Sequence, residues 1–331
     1  MPTQTPYAAL TPDVVLNAVT EIGLAADGRL LALNSYENRV YQIGVNDTEF
    51  VVAKFYRPAR WSEAAILEEH AYAQELADQE IPVVAPLRIN GKTLHSYQDF
   101  LFAVYPRRGG RAPEFDRADT LEWMGRFLGR MHAIGAVSDF QHRPLLDCTS
   151  FGDKPREFLL SQGWIPDDLV PAYTAVVDQA LVGVRHCYAR AGEIKRLRLH
   201  GDCHAGNVLW TPDGPQAGPH FVDFDDCRMG PAVQDLWMLL SGERADRVRQ
   251  FTDVLVGYED FFEFDTRELH LIEALRTLRL IHYSAWLASR WEDPAFPIAF
   301  PWFNTQHYWQ DRILELREQI ALMDEPPLWS N

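Results

Sequence analysis

The apolar residues of this chain change their period near residue 115, and that change constrains the fold more than any other feature of the sequence. Before it, residues 30–33, 39–44 and 50–55 are short runs rich in β-branched, aromatic and aliphatic side chains, with Asn46-Asp47 as a turn between the last two. They predict a β-meander. Ser62 is placed to cap a helix reaching about Ala77, with Ile66, Leu67, Tyr72 and Leu76 as its apolar positions, and 100–105 reads as a buried strand. Pro106-Arg107-Arg108-Gly109-Gly110 then reads as a linker. Beyond 115 the period is helical: Leu121, Met124, Leu128 and Met131 recur at steps of three and four, and similar stripes cover 169–190, 232–259, 266–290 and 306–323. One small β region, 196–199, 208–210 and 220–223, interrupts them, with Pro212-Asp213-Gly214 turning the chain before its last segment. The expectation is an α+β chain of two lobes, a small β-rich one over 1–106 and a larger, mainly helical one over 107–331.

The small β region carries the chemistry. His200-Gly201-Asp202-Cys203-His204-Ala205-Gly206-Asn207 is followed, after the hairpin, by Val222-Asp223-Phe224-Asp225-Asp226. An aspartate followed five positions later by an asparagine, then by a second aspartate at a strand end, is the arrangement phosphoryl transfer requires. Asp202 is the candidate to take or orient the acceptor's hydroxyl proton, against the plainer role of an Asx-turn carboxylate. Asn207 and Asp223 offer a neutral and an anionic hard oxygen suited to Mg²⁺, which keeps waters and phosphate oxygens as its other ligands. Asp223 is therefore both a metal ligand and part of the catalytic set. The layout resembles that of protein kinases, and it assigns 1–106 to nucleotide binding and 107–331 to catalysis and substrate.

Val51-Val52-Ala53-Lys54 resembles the kinase strand whose lysine pairs with the α- and β-phosphates. The alternative for Lys54 is an edge-strand lysine reaching water. Glu69 on the following helix is the expected partner of Lys54, since Glu68 lies about 100° round the helix. The turn at 33–39 has no glycine, so any phosphate cradle there uses the backbone amides of 35–38 and the Ser35 hydroxyl; an ordinary hairpin turn explains the same residues. Asp225 either approaches a second magnesium or faces solvent. Asp235, an acid among apolar neighbours, is expected to accept hydrogen bonds from the catalytic loop. His200 reads as structural and His204 as lining the acceptor side, because no second cluster completes a zinc site. Tyr283, Trp286, Trp291, Trp302 and Phe303 form an aromatic belt that either packs as core or floors the acceptor cleft.

Composition narrows the classes. A formal charge of −16 argues against a nucleic-acid partner and leaves a cationic substrate open. No apolar run is long enough for a membrane span and the first residues lack a signal-peptide pattern, so the expected location is the cytoplasm. Cys148, Cys187, Cys203 and Cys227 lack a C-x-x-C pair and read as reduced thiols. No long exposed apolar stripe demands a partner subunit, and a monomer is expected.

On these motifs the chain resembles the aminoglycoside phosphotransferase and choline kinase superfamily, whose fold is that of protein kinases. Within it, the strings at 34–41, 50–58, 197–207, 230–240 and 293–297 resemble the bacterial stress response kinase A family, of the RdoA type, over about residues 10–328. The stretch 212–219 is longer than that family's hairpin. The resemblance implies an ATP- and Mg²⁺-dependent serine/threonine protein kinase that phosphorylates itself and serves survival of oxidative and envelope stress. It places the base at Asp202, magnesium at Asn207 and Asp223, and an ATP contact at Ser35. Two other readings stay open: a small-molecule kinase acting on a cationic hydroxyl compound, and a nucleotide-binding module without turnover.

Overall fold

The structure is a computed structural model that describes residues 5–212, 214 and 217–328. The chain divides into two compact units, one of Met1–Pro113, Gln141–Arg143 and Ala205–Asp225, the other of Glu114–Phe140, Pro144–His204 and Asp226–Asn331. The division falls a few residues beyond the expected 106/107 linker. It also returns two later segments to the first unit, which no local pattern announces.

In the first unit, α1 (Pro12–Glu21) is a helix that the strand-like reading of the N-terminal region omits. Its start is well specified: the Thr11 hydroxyl accepts from Val14 N, and Pro12 occupies the first turn. Strands β1 (Ala26–Ala32), β2 (Arg39–Val45), β3 (Glu49–Phe55), β4 (His95–Tyr97) and β5 (Phe100–Pro106) form one antiparallel sheet in the order β1-β2-β3-β5-β4. β3 is thus the central strand, which removes the edge-strand reading of Lys54. Side chains alternate across a strand, so Val51, Ala53 and Phe55 join Val15, Val19, Phe100 and Phe102 in the core on one face of the sheet. Lys54 and Tyr56 then belong to the other face, where Tyr56 packs with Ile66 of α2 (Glu63–Asp78). Ser62 caps α2 by accepting from Ala65 N at 3.2 Å, and the buried positions of α2 include Ile66, Glu69, His70, Tyr72 and Leu76.

The second unit contains α3 (Ala118–Gly135), α4 (Lys154–Ser161), α5 (Val170–Ala191), α6 (Val233–Trp237), α7 (Arg244–Tyr258), α8 (Ile272–Ala288), α9 (Ala295–Ala299) and α10 (Gln306–Asp324). Its core joins Met124, Leu128 and Met131 to Phe251, Val254, Leu278, Ile281, Trp309 and Leu316, all buried. α3 and α7 approach so closely that a Cβ on Gly125 would lie 1.9 Å from the Val254 carbonyl oxygen. The single stripe expected over 232–259 is two helices, because Gly242 takes φ +83° and ends the run between them.

β7 (Val208–Thr211) and β8 (Gly218–Phe221) form the expected hairpin, in the first unit. Asp213 of its predicted turn lies outside the described residues. The hairpin is tied in by reciprocal backbone bonds between Arg111 and Trp210 and by Val84 N to the Phe221 carbonyl. β6 (Leu197–Leu199) pairs instead with β9 (Arg228–Gly230), a strand of three buried residues too short to show a period. Among the described residues no helix is long and apolar enough to cross a membrane.

Candidate active site

The first unit gathers charge around Lys54. Its ammonium is buried and lies 3.0 Å from Asp223 Oδ1, 3.3 Å from Asp225 Oδ1 and 3.6 Å from Glu69 Oε1. Burial alone would lower the lysine pKa, yet the three carboxylates outweigh it and hold the pKa well above its ordinary value. Lys54 therefore stays charged. Burial pushes the Glu69 carboxyl upward, with Lys54 and Arg143 pulling the other way.

Asp223 and Asn207 meet through the hairpin. Val208 pairs with Phe221, and the next step along each strand brings Val222 N to the Asn207 carbonyl at 3.0 Å. Both candidate metal donors thus sit at the same end of β7 and β8. Asp223 takes φ +61°, a left-handed conformation uncommon outside glycine, and its side chain is about half exposed (53%). A carboxylate tethered on one side by a buried lysine and half exposed, with Asn207 at the same hairpin end, fits magnesium, whose remaining ligands come from water and phosphate.

Glu68 and Glu69 divide their work. The Glu68 carboxylate accepts the backbone N–H of His142 at 2.8 Å, of Arg143 at 3.0 Å and of Gln141 at 2.5 Å. That pins 141–143 onto α2 and drives the Arg143 guanidinium inward. There it donates to Glu69 Oε2 at 2.6 Å, to the Ala65 carbonyl at 2.8 Å and to the Asp225 carbonyl at 2.7 Å, with its flat face 4.4 Å from the Trp61 ring centroid. The solvent-facing alternative for Asp225 is overturned: the residue is buried and ion-paired with both Lys54 and Arg60. Ser35 donates its hydroxyl to the Asn38 carbonyl at 3.1 Å, inside the turn that precedes β2.

The second unit holds His200–His204, the first part of the candidate catalytic loop. Gly201 takes φ +84°, and a Cβ there would fall 2.3 Å from the Asp226 carbonyl oxygen, so the tight path of the loop requires glycine. Asp235 on α6, fully buried, accepts from His200 N at 2.9 Å and Gly201 N at 2.8 Å. His132 of α3 sets its Nε2 3.2 Å from Asp235 Oδ2 and its Nδ1 2.8 Å from the Tyr258 hydroxyl. A neutral imidazole satisfies both partners when Nε2–H donates to the carboxylate and the tyrosine hydroxyl donates to Nδ1. His200 is buried, and Asp202 N donates to its Nδ1 at 3.4 Å.

Asp202 itself is held from α8. Arg279 Nη1 donates to Asp202 Oδ1 at 2.7 Å, and His204 Nε2 lies 3.4 Å from Oδ2. Burial would raise this carboxyl pKa, but His204 and Arg279 together hold it well below the ordinary range. Asp202 is ionised at any pH near neutrality.

The structure thus groups Lys54, Glu69, Asn207, Asp223 and Asp225 in the first unit, and Asp202, His204 and Asp235 in the second. Sequence reasoning missed Arg60, Arg143 and Arg279, which reach their partners across 165, 74 and 77 positions. The aromatic belt divides too: Phe303 is buried against Trp291 and Trp309, whereas Trp302 is 45% exposed.

A family model described as the phosphotransferase enzyme family matches residues 29–297. A stress response kinase A of Escherichia coli (strain K12) is 46% identical over 322 residues, covering 97% of this chain and 96% of that protein. A serine/threonine protein kinase RdoA of Salmonella typhimurium (strain LT2) is 45% identical over 322 residues, with the same coverage of 97% and 96%. Among solved structures, amicoumacin kinase hAmiN in complex with AMP-PNP, Ca²⁺ and Ami superposes with a TM-score of 0.71 at 21% identity, covering 96% of this chain and 94% of that one. A microcompartment-associated aminopropanol kinase superposes with a TM-score of 0.72 at 18% identity, covering 95% and 97%. At these identities the two structures establish a shared kinase-like fold.

Proposed function

The chain belongs to the phosphotransferase enzyme family and is a kinase, and from that premise we propose that it transfers the γ-phosphoryl group of ATP to serine or threonine hydroxyls of proteins, its own included. The observation that carries this reading is the buried Lys54 held against Asp223 at 3.0 Å, with Asn207 at the same hairpin end.

In this mechanism Lys54 binds the α- and β-phosphate oxygens, and Glu69 keeps the lysine aimed from α2. Asn207 and Asp223 are the residues that would hold magnesium, which when bound would neutralise triphosphate charge. Asp202 takes the acceptor hydroxyl into a hydrogen bond and accepts its proton as the oxygen attacks. A carboxylate this weakly basic suits a loose transition state, in which the proton leaves late and orientation counts for more than base strength. Ser35 belongs to the nucleotide side, where backbone amides of its turn supply phosphate contacts.

A protein acceptor is supported by the name of the relative from Salmonella typhimurium, a serine/threonine protein kinase at 45% identity over 97% of the chain. The name of the Escherichia coli relative, a stress response kinase A at 46% identity, supports a role in stress response. The alternative acceptor, a small hydroxyl compound, is what the names of the two structural neighbours suggest.

Purified protein with labelled ATP and Mg²⁺ is expected to label itself and a second protein on Ser or Thr. Asp202→Ala keeps nucleotide affinity and loses about a thousandfold in rate, the size of a lost acid–base group. Asp223→Ala loses Mg²⁺-ATP affinity as well. Phosphate appearing only on metabolites from an amino alcohol and aminoglycoside panel would replace the protein-acceptor reading with the small-molecule one.

A further inference from the structure

Three consecutive residues of α2 hold three different parts of the first unit. Successive helix positions lie about 100° apart, so Glu68, Glu69 and His70 together reach round about 200° of the circumference of α2. Glu68 grips the 141–143 backbone, and Glu69 meets Lys54 and Arg143. His70, 2% exposed, sets its Nε2 2.7 Å from the Tyr56 hydroxyl and its Nδ1 2.9 Å from the Thr93 hydroxyl. The Tyr56 hydroxyl also lies 3.1 Å from that of Tyr105 on β5, and the Tyr56 ring centroid lies 5.2 Å from the Lys54 ammonium. Tyr56 extends β3 by one residue, since its N–H donates to the Leu101 carbonyl at 2.9 Å. Thr93, His70, Tyr56 and Tyr105 thus form one hydrogen-bonded chain that ties α2 to the two strands beside Lys54.

We propose that the Tyr56–His70 hydrogen bond, backed by Thr93, keeps α2 turned with Glu69 toward Lys54 both before and after nucleotide binds, which makes Tyr56, His70 and Thr93 positioning residues for nucleotide binding. The inference rests on Lys54 as the residue that meets the nucleotide phosphates. Burial, with Lys54 and Arg143 nearby, lowers the His70 pKa from 6.5 to about 3, and burial raises those of both tyrosines, so the chain is neutral throughout. That neutrality matters. The ion pair of Glu69 with Lys54 weakens when phosphates take up the ammonium, whereas hydrogen bonds between neutral groups respond far less to arriving charge. Turning α2 by one position, about 100°, would bring Glu68 or His70 to the lysine in place of Glu69. A helix held by Glu69 alone would spend part of its time so turned, and the apparent nucleotide affinity would fall with the fraction that is correctly oriented.

Calorimetric binding of AMP-PNP with Mg²⁺ to the full chain tests this without reference to any acceptor. Tyr56→Phe, which keeps the ring and removes only the hydroxyl, and His70→Leu each weaken binding about fivefold; the KM for ATP rises alike, and kcat moves by about twofold or less. His70→Gln, whose amide nitrogen can stand where Nε2 stands, recovers most of the affinity. Glu69→Gln lowers affinity as well, and adding Tyr56→Phe to it costs nothing further, because both act through one orientation of α2. Unchanged affinity in Tyr56→Phe and His70→Leu, whatever happens to their melting temperature, overturns the proposal, and so do fully additive losses in the double variant. Lys54→Ala separates this from the reading beneath it. If Lys54→Ala binds as tightly as wild type, Lys54 is not the phosphate residue and the inference falls with it; if Lys54→Ala binds weakly while Tyr56→Phe and His70→Leu bind normally, only the positioning role is lost.

Discussion

Carboxylates do different work in the two units. Around Lys54, three cations (Lys54, Arg60 and Arg143) face three carboxylates (Glu69, Asp223 and Asp225), so the site balances charge with charge. Around Asp235, the carboxylate takes two backbone N–H groups and an imidazole, and the imidazole is oriented in turn by Tyr258. The first arrangement can accept a further charged group, because adding phosphates and a metal redistributes partners that already exist. The second fixes a backbone path. A web of ion pairs is therefore expected where the highly charged nucleotide binds, and a dipole-fed hub where one loop must hold one shape.

Removing a cation from the web is the harshest test of this contrast. Arg143→Ala strands Glu69 and takes a donor from the Asp225 carbonyl, at a cost of roughly 3–5 kcal/mol for breaking a buried pair, and Mg²⁺-ATP use is lost with it. Arg143→Lys restores the charge without the three-way fork and recovers only part of the loss. Denaturant unfolding alongside the KM for ATP reads both; a KM equal to wild type would show that Arg143 braces the fold and nothing more. The hub should fail more gently and in a different parameter. Asp235→Asn exchanges one acceptor oxygen for a donor facing a backbone N–H, a cost of about 1–3 kcal/mol. It is expected to lower kcat by about a hundredfold while the KM for ATP moves by about twofold or less. A change confined to KM would place Asp235 on the nucleotide side and erase the distinction.

What the sequence discloses follows how local each signal is. Asp202, Asn207 and Asp223 are legible because the loop and hairpin that carry them are one short stretch with fixed spacing. Glu69 is separable from Glu68 because a helix turns them about 100° apart, and the structure gives Glu69 to Lys54 and Glu68 to the 141–143 backbone. Asp235 stands out as a lone acid among apolar neighbours. Arg143 gives no such sign: it follows Gln141 and His142 in an aperiodic stretch, and its partners lie 74 to 82 positions away. Arg279 is hidden differently, since an arginine on the outer face of an amphipathic helix reads as ordinary solvation. Helix α1 carries a local sign, since Thr11-Pro12-Asp13 is a cap followed by a first-turn proline and an acid. Asp225 reads from its acidic run as either a second magnesium ligand or a solvent-facing carboxylate, and the distant Arg60 and Lys54 that accompany its burial leave no local sign.

Glu268 supplies the limiting case of the same contrast, a buried acid with neither a balancing cation nor a full set of donors. It is 2% exposed, accepts Val233 N at 2.7 Å and forms no ion pair among the described residues. Burial pushes its pKa from 4.5 up to about 8. An acid raised in this way keeps its proton in the folded chain over a range where the unfolded chain has already released it. The folded state then binds more protons, so stability is greatest at low pH and falls as pH rises from about 4.5 to about 8. Glu268→Gln keeps an acceptor for Val233 N and removes the titration. Its stability should therefore decline less steeply over that range, by on the order of 1 kcal/mol per pH unit. Turnover is expected to change least of all, since Glu268 touches neither the loop carboxylates nor Lys54. Unfolding curves of wild type and variant at pH 5, 6.5 and 8 check the slope. Parallel stability profiles would mean that Glu268 is ionised in the fold, and that the backbone N–H of Val233 does for this carboxylate what three cations do in the Lys54 web.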